Sequence, residues 1–198
     1  MNLNKVGIIL AGGESRRYGT PKALEKLNGI PFYLRAVDVL RPLVERIVIV
    51  AHPSIENQLN ELDDQIDVIT DVVEYKGMGP LAGIYSGIKY LPAADYFVLA
   101  SDMPIMRSSV FQQQYAVKKM LTSDCTIIPC VDGRIQPLAA IYSASITELI
   151  PKILKSDKRR LTDLLQQTNC AYLHYTSEER MSCFKNVNTP GDYIELTR

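Results

Sequence analysis

The composition of this chain is marked by absences: its 198 residues include no tryptophan and show no excess of either charge. The 22 basic residues are balanced by 22 acidic ones, so the formal net charge is zero. A protein without net charge has no bulk field that attracts nucleic acid or an anionic membrane surface. We therefore expect neither nucleic acid nor membrane as a partner.

Residues that typically bind zinc are scarce. The two histidines, His52 and His174, have no metal-ligand spacing to each other or to a cysteine. The four cysteines form no C-x-x-C pair, and we expect them to be buried free thiols: Cys125, Cys130, Cys170 and Cys183. The sequence predicts no zinc site.

Long apolar runs are also missing. No run approaches the roughly 20 residues that cross a bilayer, and the first residues lead into a strand without the pattern of a signal peptide. We therefore expect a cytoplasmic protein. With 46% hydrophobic and 22% charged residues, residues 1–198 have the composition and length of one globular domain.

Short apolar runs alternate with helical patterns along most of the chain. The predicted strands are 6–10, 46–51, 67–70 and 95–100. The predicted helices are 31–40, 54–62, 80–91 and 110–121. This alternation predicts an α/β fold with a parallel sheet joined by right-handed crossovers.

The later part of the chain departs from this alternation. Strands predicted at 126–131 and 135–142 flank the turn signal Asp132-Gly133, which indicates a late antiparallel hairpin. Near the end, Asn186 and Asn188 lie on a predicted strand, whose period of two would point both amides the same way. The sheet is therefore expected to be mostly parallel, with an antiparallel part formed by the later residues of the chain.

The stretch from Ile8 to Lys22 joins the first strand to a glycine turn and a cluster of cations. At Gly12 and Gly13 the backbone can approach a ligand closely, and Arg17 and Lys22 add positive charge. Backbone N–H groups and cations at a strand end form an anion site, for which we predict the triphosphate of a nucleotide. The alternative is a tight turn beside solvated cations. The stretch matches neither a P-loop nor the dinucleotide fingerprint, which argues against a Rossmann-type redox enzyme.

Two carboxylates follow predicted strands. Asp71 comes directly after strand 67–70, and Asp102 follows strand 95–100 ahead of Pro104. In open α/β sheets, ligands bind beyond the carboxyl ends of the strands, and Mg²⁺ takes one or two carboxylates together with phosphate oxygens. We predict that Asp102 binds Mg²⁺. Without a function, each aspartate would cap a turn.

A glycine-rich segment, GMGPLAG at 77–83, precedes the third predicted helix. Pro80 suits the first turn of a helix, and the glycines permit close packing of the backbone against a ligand or a strand. By pattern alone, a helix start is the simpler interpretation.

Taken together, these motifs resemble the molybdenum cofactor guanylyltransferase (MobA-type) family, within the α/β nucleotidyltransferases. The family signature is Leu-Ala-Gly-Gly-x-Ser-x-Arg-Met-Gly with a later Lys-Ala-Leu, and this chain reads LAGGESRRYGTPKAL from Leu10. Tyr18 stands where Met is usual and Pro21 where Asp is frequent, but neither change removes a phosphate-binding group. Gly-Pro-Leu-Ala-Gly, Asp-x-Pro and a terminal Asn-x-Asn-Thr-Pro also match, so the resemblance covers residues 8–190.

The resemblance implies a single-domain, Rossmann-like three-layer sandwich of the nucleotide-diphospho-sugar-transferase type. It also implies a Mg²⁺-dependent transfer of GMP from GTP to the terminal phosphate of molybdopterin, or of its molybdenum-loaded form, with release of pyrophosphate. The partners would then be GTP, molybdopterin and, transiently, other molybdenum cofactor proteins.

The site residues follow from the same resemblance. Catalysis is expected from Arg17, Lys22 and Asp102, with Mg²⁺ on Asp102. The residues expected to bind the nucleotide are Leu10, Ala11, Gly12, Gly13, Lys22, Asp71, Gly79, Pro80, Leu81 and Asp102. The acceptor side is expected to include Arg134, Gln136, Asn186 and Asn188.

Two alternatives remain open on the sequence. A cytidylyltransferase or sugar-phosphate nucleotidyltransferase of the same fold would use another nucleotide. The choice of base stays open because guanine could be selected by the Asp71 carboxylate or by backbone carbonyls alike. A GTP-binding adaptor protein would bind the nucleotide without catalysis, and would release no pyrophosphate.

Overall fold

The computed structural model of the chain describes residues 3–12, 21–59, 62–156, 159–176, 178, 182–189 and 191–192. The strands in these ranges are β1 (Leu3–Ala11), β2 (Lys26–Leu27), β3 (Ile30–Pro31), β4 (Arg46–Ala51), β5 (Ile66–Ile69), β6 (Ala93–Ala100), β7 (Thr126–Val131), β8 (Arg134–Ile135), β9 (Ala139–Ser143) and β10 (Cys170–Tyr175). The α-helices are α1 (Phe32–Leu40), α2 (Pro80–Tyr90), α3 (Ser108–Lys118), α4 (Ile150–Leu154) and α5 (Leu161–Leu165).

Within the described ranges, eight strands form one sheet in the order β10-β7-β9-β6-β1-β4-β5, with β8 beside β7. Strand β1 runs parallel to β4 on one side and to β6 on the other. Strand β9 is antiparallel to β6 and β7, and β8 forms an antiparallel hairpin with β7. The predicted mostly parallel sheet with a late antiparallel hairpin is confirmed.

Helices cover both faces of this sheet. The neighbours Ile8 and Ile9 are both fully buried, but successive strand residues point to opposite faces. Ile9 packs in a core with α1 and α3, whereas Ile8 packs in a second core with α2, α4 and α5. The result is the three-layer sandwich that was expected.

The helix predicted over 54–62 is wrong. The described part of that segment holds only a 3₁₀ turn at Glu56–Gln58. A segment this short and polar cannot nucleate a helix by itself, and the buried side chains of Ile55 and Leu59 fix it as a loop.

The strand predicted over 135–142 is interrupted. Pro137 has no N–H to donate to a ladder, and the strand breaks there into β8 and β9. Strand β8 ends on β7 before this point, and β9 begins on β6 after it.

The strand predicted around Asn186 and Asn188 is also wrong, since residues 185–188 adopt no strand or helix. The sheet edge is formed instead by β10, which was not predicted. From Ala171 to Tyr175 its exposed side chains alternate with half-buried or buried ones, so no continuous apolar run marks it in the sequence.

The free thiols were predicted correctly. All four cysteines are unbridged; three are buried and Cys170 is half-buried. Burial raises the pKa of the Cys170 thiol to about 11. In the part of the chain that is described, no helix is long and apolar enough to cross a membrane.

Candidate active site

A cleft of about 590 Å³ opens at the carboxyl ends of β1, β4 and β6. Parallel strands end at one edge of their sheet. The chain adds β4 and β5 on one side of β1 and then returns to place β6 on its other side, so a crevice forms at these strand ends. The residues at or just after the ends of the three strands line it: Ala11 and Gly12, Ala51 and His52, Ser101 and Asp102.

The end of β1 forms the floor of the cleft. The carbonyl of Leu10 accepts a hydrogen bond from the Ser101 N–H at 3.1 Å, and the carbonyl of Ala11 accepts one from the His52 N–H at 3.4 Å. These bonds join the three strand ends. Gly12 is exposed, and a Cβ there would meet only the Val50 carbonyl oxygen, at 3.8 Å. The main chain at Gly12 is therefore open to a ligand.

Lys22 and Asp102 form an ion pair at the cleft, with Nζ 3.1 Å from Oδ2. The same Nζ lies 2.9 Å from the amide oxygen of Asn188. The Lys22 and Asp102 side chains are only 18% and 21% exposed, so water screens this pair less than it screens a surface pair. Three residues distant in sequence thus meet around one ammonium group.

Asp102 presents a second oxygen in different surroundings. Its Oδ1 is buried and accepts no hydrogen bond from the described residues. Such an orphaned carboxylate oxygen suits a hard cation. The described residues contain no cluster of three or more metal-binding side chains, so a Mg²⁺ ion on Asp102 would need phosphate oxygens to complete its shell. The residues present fit that ion.

The glycine-rich segment forms one wall of the cleft. The Asp71 carboxylate accepts a hydrogen bond from the Gly77 N–H at 3.1 Å and thereby fixes the turn into α2. Gly79 has φ 84° and ψ −168°, a conformation that only glycine adopts readily. Asp71, Gly79 and Pro80 all line the cleft.

Leu81 departs from the expectation. Its side chain is fully buried in the core beneath α2, and it does not line the cleft. The amphipathic period of α2 explains this, because the residue after Pro80 faces the sheet. The Leu81 side chain thus lies away from the cleft lining, and a contact between Leu81 and a nucleotide stays a prediction.

Other expected residues lie away from the cleft lining or outside the described residues. Arg134 and Gln136 belong to the β7–β8 hairpin and its exit, and neither lines the cleft, although the nearby Leu138 does. Asn186 is exposed. Gly13 and Arg17 lie outside the described residues.

Sequence reasoning missed several residues that line the cleft, among them His52, Lys76 and Ser101. His52 directly follows a buried strand, as Asp71 and Asp102 do, and that position could have identified it. Its Nδ1 lies 2.8 Å from the Ser54 hydroxyl. Lys76 gave no signal except its place before the glycine-rich segment.

The last described residues return to the cleft. The Val187 N–H donates to the Asp102 carbonyl at 2.8 Å. The Asp192 carboxylate accepts from the N–H groups of Asn188 and Thr189, and these bonds lower the Asp192 pKa. The Thr189 hydroxyl accepts from the Asp192 N–H at 3.2 Å. The Thr189 hydroxyl and the Asp192 carboxylate thus accept hydrogen bonds from each other's main-chain N–H groups.

Comparison with known proteins places this geometry in a family. Residues 7–171 match the family model of the MobA-like NTP transferase domain. A relative from Geobacillus sp. (strain WCH70), named "Probable molybdenum cofactor guanylyltransferase", is 39% identical over 201 residues, which cover 98% of this chain and 99% of the relative. A relative of the same name from Bacillus cytotoxicus is 39% identical over 194 residues, covering 96% and 94%.

A solved structure agrees with these relatives. Molybdopterin-guanine dinucleotide biosynthesis protein A from Archaeoglobus fulgidus matches with a TM-score of 0.79 and 25% identity, over 96% of this chain and 95% of the other. The fold, and the cleft at the carboxyl ends of its strands, are those of a nucleotidyltransferase, and the chain is an enzyme of this class. It belongs to the MobA-like NTP transferase family. The resemblance noted in the sequence is confirmed.

Proposed function

We propose that this enzyme transfers GMP from GTP to the terminal phosphate of molybdopterin, or of its molybdenum-loaded form, in a reaction that depends on Mg²⁺. The product would be the guanine dinucleotide form of the cofactor. The names of full-length relatives at 39% identity support this choice of substrates. The observation that carries the proposal is the Lys22–Asp102 pair at the cleft, with one carboxylate oxygen left without a partner.

The reaction breaks one bond and forms another at the α-phosphorus of GTP. An oxygen of the acceptor phosphate attacks this phosphorus, the bond to the oxygen bridging to the β-phosphorus breaks, and that oxygen leaves with pyrophosphate. The acceptor phosphate is already an anion at neutral pH, so no general base is required. Catalysis then depends on positioning and on stabilising charge.

Each described residue of the site has a role in this scheme. The main chain at Leu10, Ala11 and Gly12 would hold the triphosphate through its N–H groups. The Lys22 ammonium would stabilise negative charge on the departing pyrophosphate. Asp102 would hold Mg²⁺, which when bound supplies a Lewis acid for the phosphate oxygens. Arg17 is proposed to assist Lys22, and Gly13 to extend the N–H cradle.

Guanine selection is assigned to the wall of the cleft that carries Asp71. Guanine presents N1–H and N2–H₂ as donors, and a carboxylate accepts from both. Gly79 and Pro80 would bound the same pocket, because they line the cleft beside Asp71. On the acceptor side, Asn188 is the best supported residue, since it already contacts Lys22; Asn186, Arg134 and Gln136 are proposed as outer contacts.

Calorimetry with GTP, CTP, ATP and UTP in the presence of Mg²⁺ tests the proposal. We expect GTP to bind more tightly than the other three, and addition of molybdopterin to release pyrophosphate. The Asp71→Asn variant should lose much of the preference for GTP, because an amide can accept only at one atom. A preference for CTP would reassign the enzyme to cytidylyl transfer. Binding of GTP without pyrophosphate release would contradict transfer to molybdopterin.

A further inference from the structure

We propose that Asp192 is a positioning residue for nucleotidyl transfer: it fixes Asn188 so that the Asn188 amide holds the Lys22 ammonium beside Asp102. We call Val187, Asn188, Thr189 and Asp192 the C-terminal clamp. The catalytic consequence rests on the proposed function, whereas the effect on Lys22 can be measured without any substrate.

Asp192 organises the clamp through the main chain. One of its carboxylate oxygens accepts from the Asn188 N–H at 2.7 Å and from the Thr189 N–H at 2.8 Å. The Thr189 hydroxyl accepts in return from the Asp192 N–H at 3.2 Å. This reciprocal pattern is a capping box, in which an acidic side chain and a threonine fix the entry of the chain into a helix.

The clamp is attached to both members of the catalytic pair. The Asn188 amide oxygen lies 2.9 Å from Lys22 Nζ, and the Val187 N–H donates to the Asp102 carbonyl at 2.8 Å. The Val187 side chain is fully buried and packs with Leu27 and Phe32 in a small separate core. Asn188 is therefore held from two sides: by the buried Val187 before it and by the Asp192 carboxylate after it.

Such an arrangement matters because a lysine side chain has many rotamers. Fixing it costs conformational entropy, and a charge that is already in place stabilises the transition state without further reorganisation. With Asn188 in position, the Lys22 ammonium is shared between an amide and a carboxylate. If the clamp were released, Lys22 would lose the amide and keep the Asp102 carboxylate, so its position over the leaving phosphates would be less tightly fixed.

Acylation of lysines by a brief pulse of an N-hydroxysuccinimide ester, read by peptide mass spectrometry, tests the clamp in the substrate-free protein. Asp192→Ala should raise the labelling rate of Lys22 by about fivefold or more, and Asp192→Glu should restore it, because glutamate also closes a capping box. Asn188→Ala should raise the rate by a similar factor. The Asp192→Ala change should add nothing further in the Asn188→Ala background, as expected for residues that act in series. Lys155, paired with Glu74 on the surface, is the internal control.

Turnover of the same variants gives the catalytic consequence. Asp192→Ala should lower kcat by about tenfold or more with KM for GTP within about threefold, the pattern of an interaction used in the transition state, and Asp192→Glu should recover it. An unchanged Lys22 labelling rate in Asp192→Ala, or a full additional increase on Asn188→Ala, overturns the clamp. If labelling behaves as expected but the wild type releases no pyrophosphate from GTP and molybdopterin, the proposed function fails and the clamp stands.

Discussion

The two carboxylate oxygens of Asp102 lie in different surroundings. One of them pairs with Lys22, whereas the other is left to bind a ligand. Oδ2 accepts from Lys22, whereas Oδ1 is buried without a hydrogen-bond donor from the described residues. An unsatisfied buried polar atom costs about 1–3 kcal/mol. Folding alone does not recover that cost, but a cation that binds with the nucleotide would. The cost of leaving Oδ1 unsatisfied in the substrate-free protein therefore favours binding of an ion at this oxygen.

Replacing Asp102 with Asn tests this interpretation with almost no change in shape. The amide removes the charge that would hold Mg²⁺, and such a loss of several kcal/mol should lower the rate of pyrophosphate release by about 100-fold or more. The measurement is turnover at saturating Mg²⁺, with the urea midpoint as a check on folding.

Asp67→Asn provides the matched control for Asp102→Asn. Asp67 is 24% exposed and pairs with Arg46 at 2.7 Å, but it does not line the cleft. We expect near wild-type turnover in this control. Equal losses in the two variants, or full activity in Asp102→Asn, would contradict the metal assignment.

At the scale of elements, the position of α2 depends on glycines that face β1. A Cβ on Gly87 would lie 2.9–3.0 Å from three carbon atoms of the Ile8 side chain, and one on Gly83 would lie 2.9 Å from Leu10 Cδ2. Real Cβ atoms do not approach so closely. Helix α2 therefore lies nearer to the sheet than a helix with side chains at these positions could, and Gly83 also lines the cleft.

Gly87→Ala should destabilise the protein although alanine is the better helix former. The gain in helix propensity is about 1 kcal/mol, whereas overpacking a core costs about 1–3 kcal/mol, and Ile8 is too well packed to move away. We expect a net loss of about 1 kcal/mol in the free energy of unfolding, measured in urea. Combining Gly87→Ala with Ile8→Ala should cost less than the sum of the two single changes; strict additivity would show that the contact does not matter.

The elements that the sequence predicted well are those with strong local signals. Buried apolar runs identified β4 and β7 to the residue and the buried parts of β1 and β6, whose first two or three residues were missed. Strands covered on both faces have such continuous hydrophobic sequences. The 54–62 segment was mistaken because short polar stretches are decided by tertiary burial. Strand β10 was missed because edge strands lack that continuous pattern.

The site was predictable only in part. Lys22, Asp71 and Asp102 were identified because each follows or closes a recognisable turn at the same sheet edge. The Lys22–Asn188 contact joins residues 166 positions apart, and no local pattern encodes it. Leu81 shows a second limit of local patterns: it lies inside a matching motif, but helix periodicity turns its side chain into the core.

At the scale of the whole molecule, the dependence of stability on pH is governed by scattered surface carboxylates at acidic pH and by buried tyrosines at alkaline pH. Hydrogen bonds lower the pKa of four surface carboxyl groups: Asp63, Glu74, Asp124 and Asp192. The main donor is Arg41 at Asp63 and the backbone N–H groups of Asn188 and Thr189 at Asp192. Burial raises the pKa of the Tyr96 and Tyr142 hydroxyls.

These opposite shifts predict a plateau of stability across neutral pH. A carboxyl group with a lowered folded pKa stabilises the fold above its unfolded value of about 4, and this contribution is lost as the pH falls through the folded pKa. A tyrosine with a raised pKa keeps its contribution below its unfolded value of about 10 and loses it as the pH rises further. Urea unfolding between pH 2 and 11 should therefore give nearly constant midpoints from about pH 5 to 9, with a decline on both sides.

Asp63→Asn should shift only the acid limb, because it removes a lowered carboxyl pKa and leaves the buried tyrosines in place. A steady slope of the urea midpoint through neutral pH would contradict control of stability by these carboxyl and tyrosine groups.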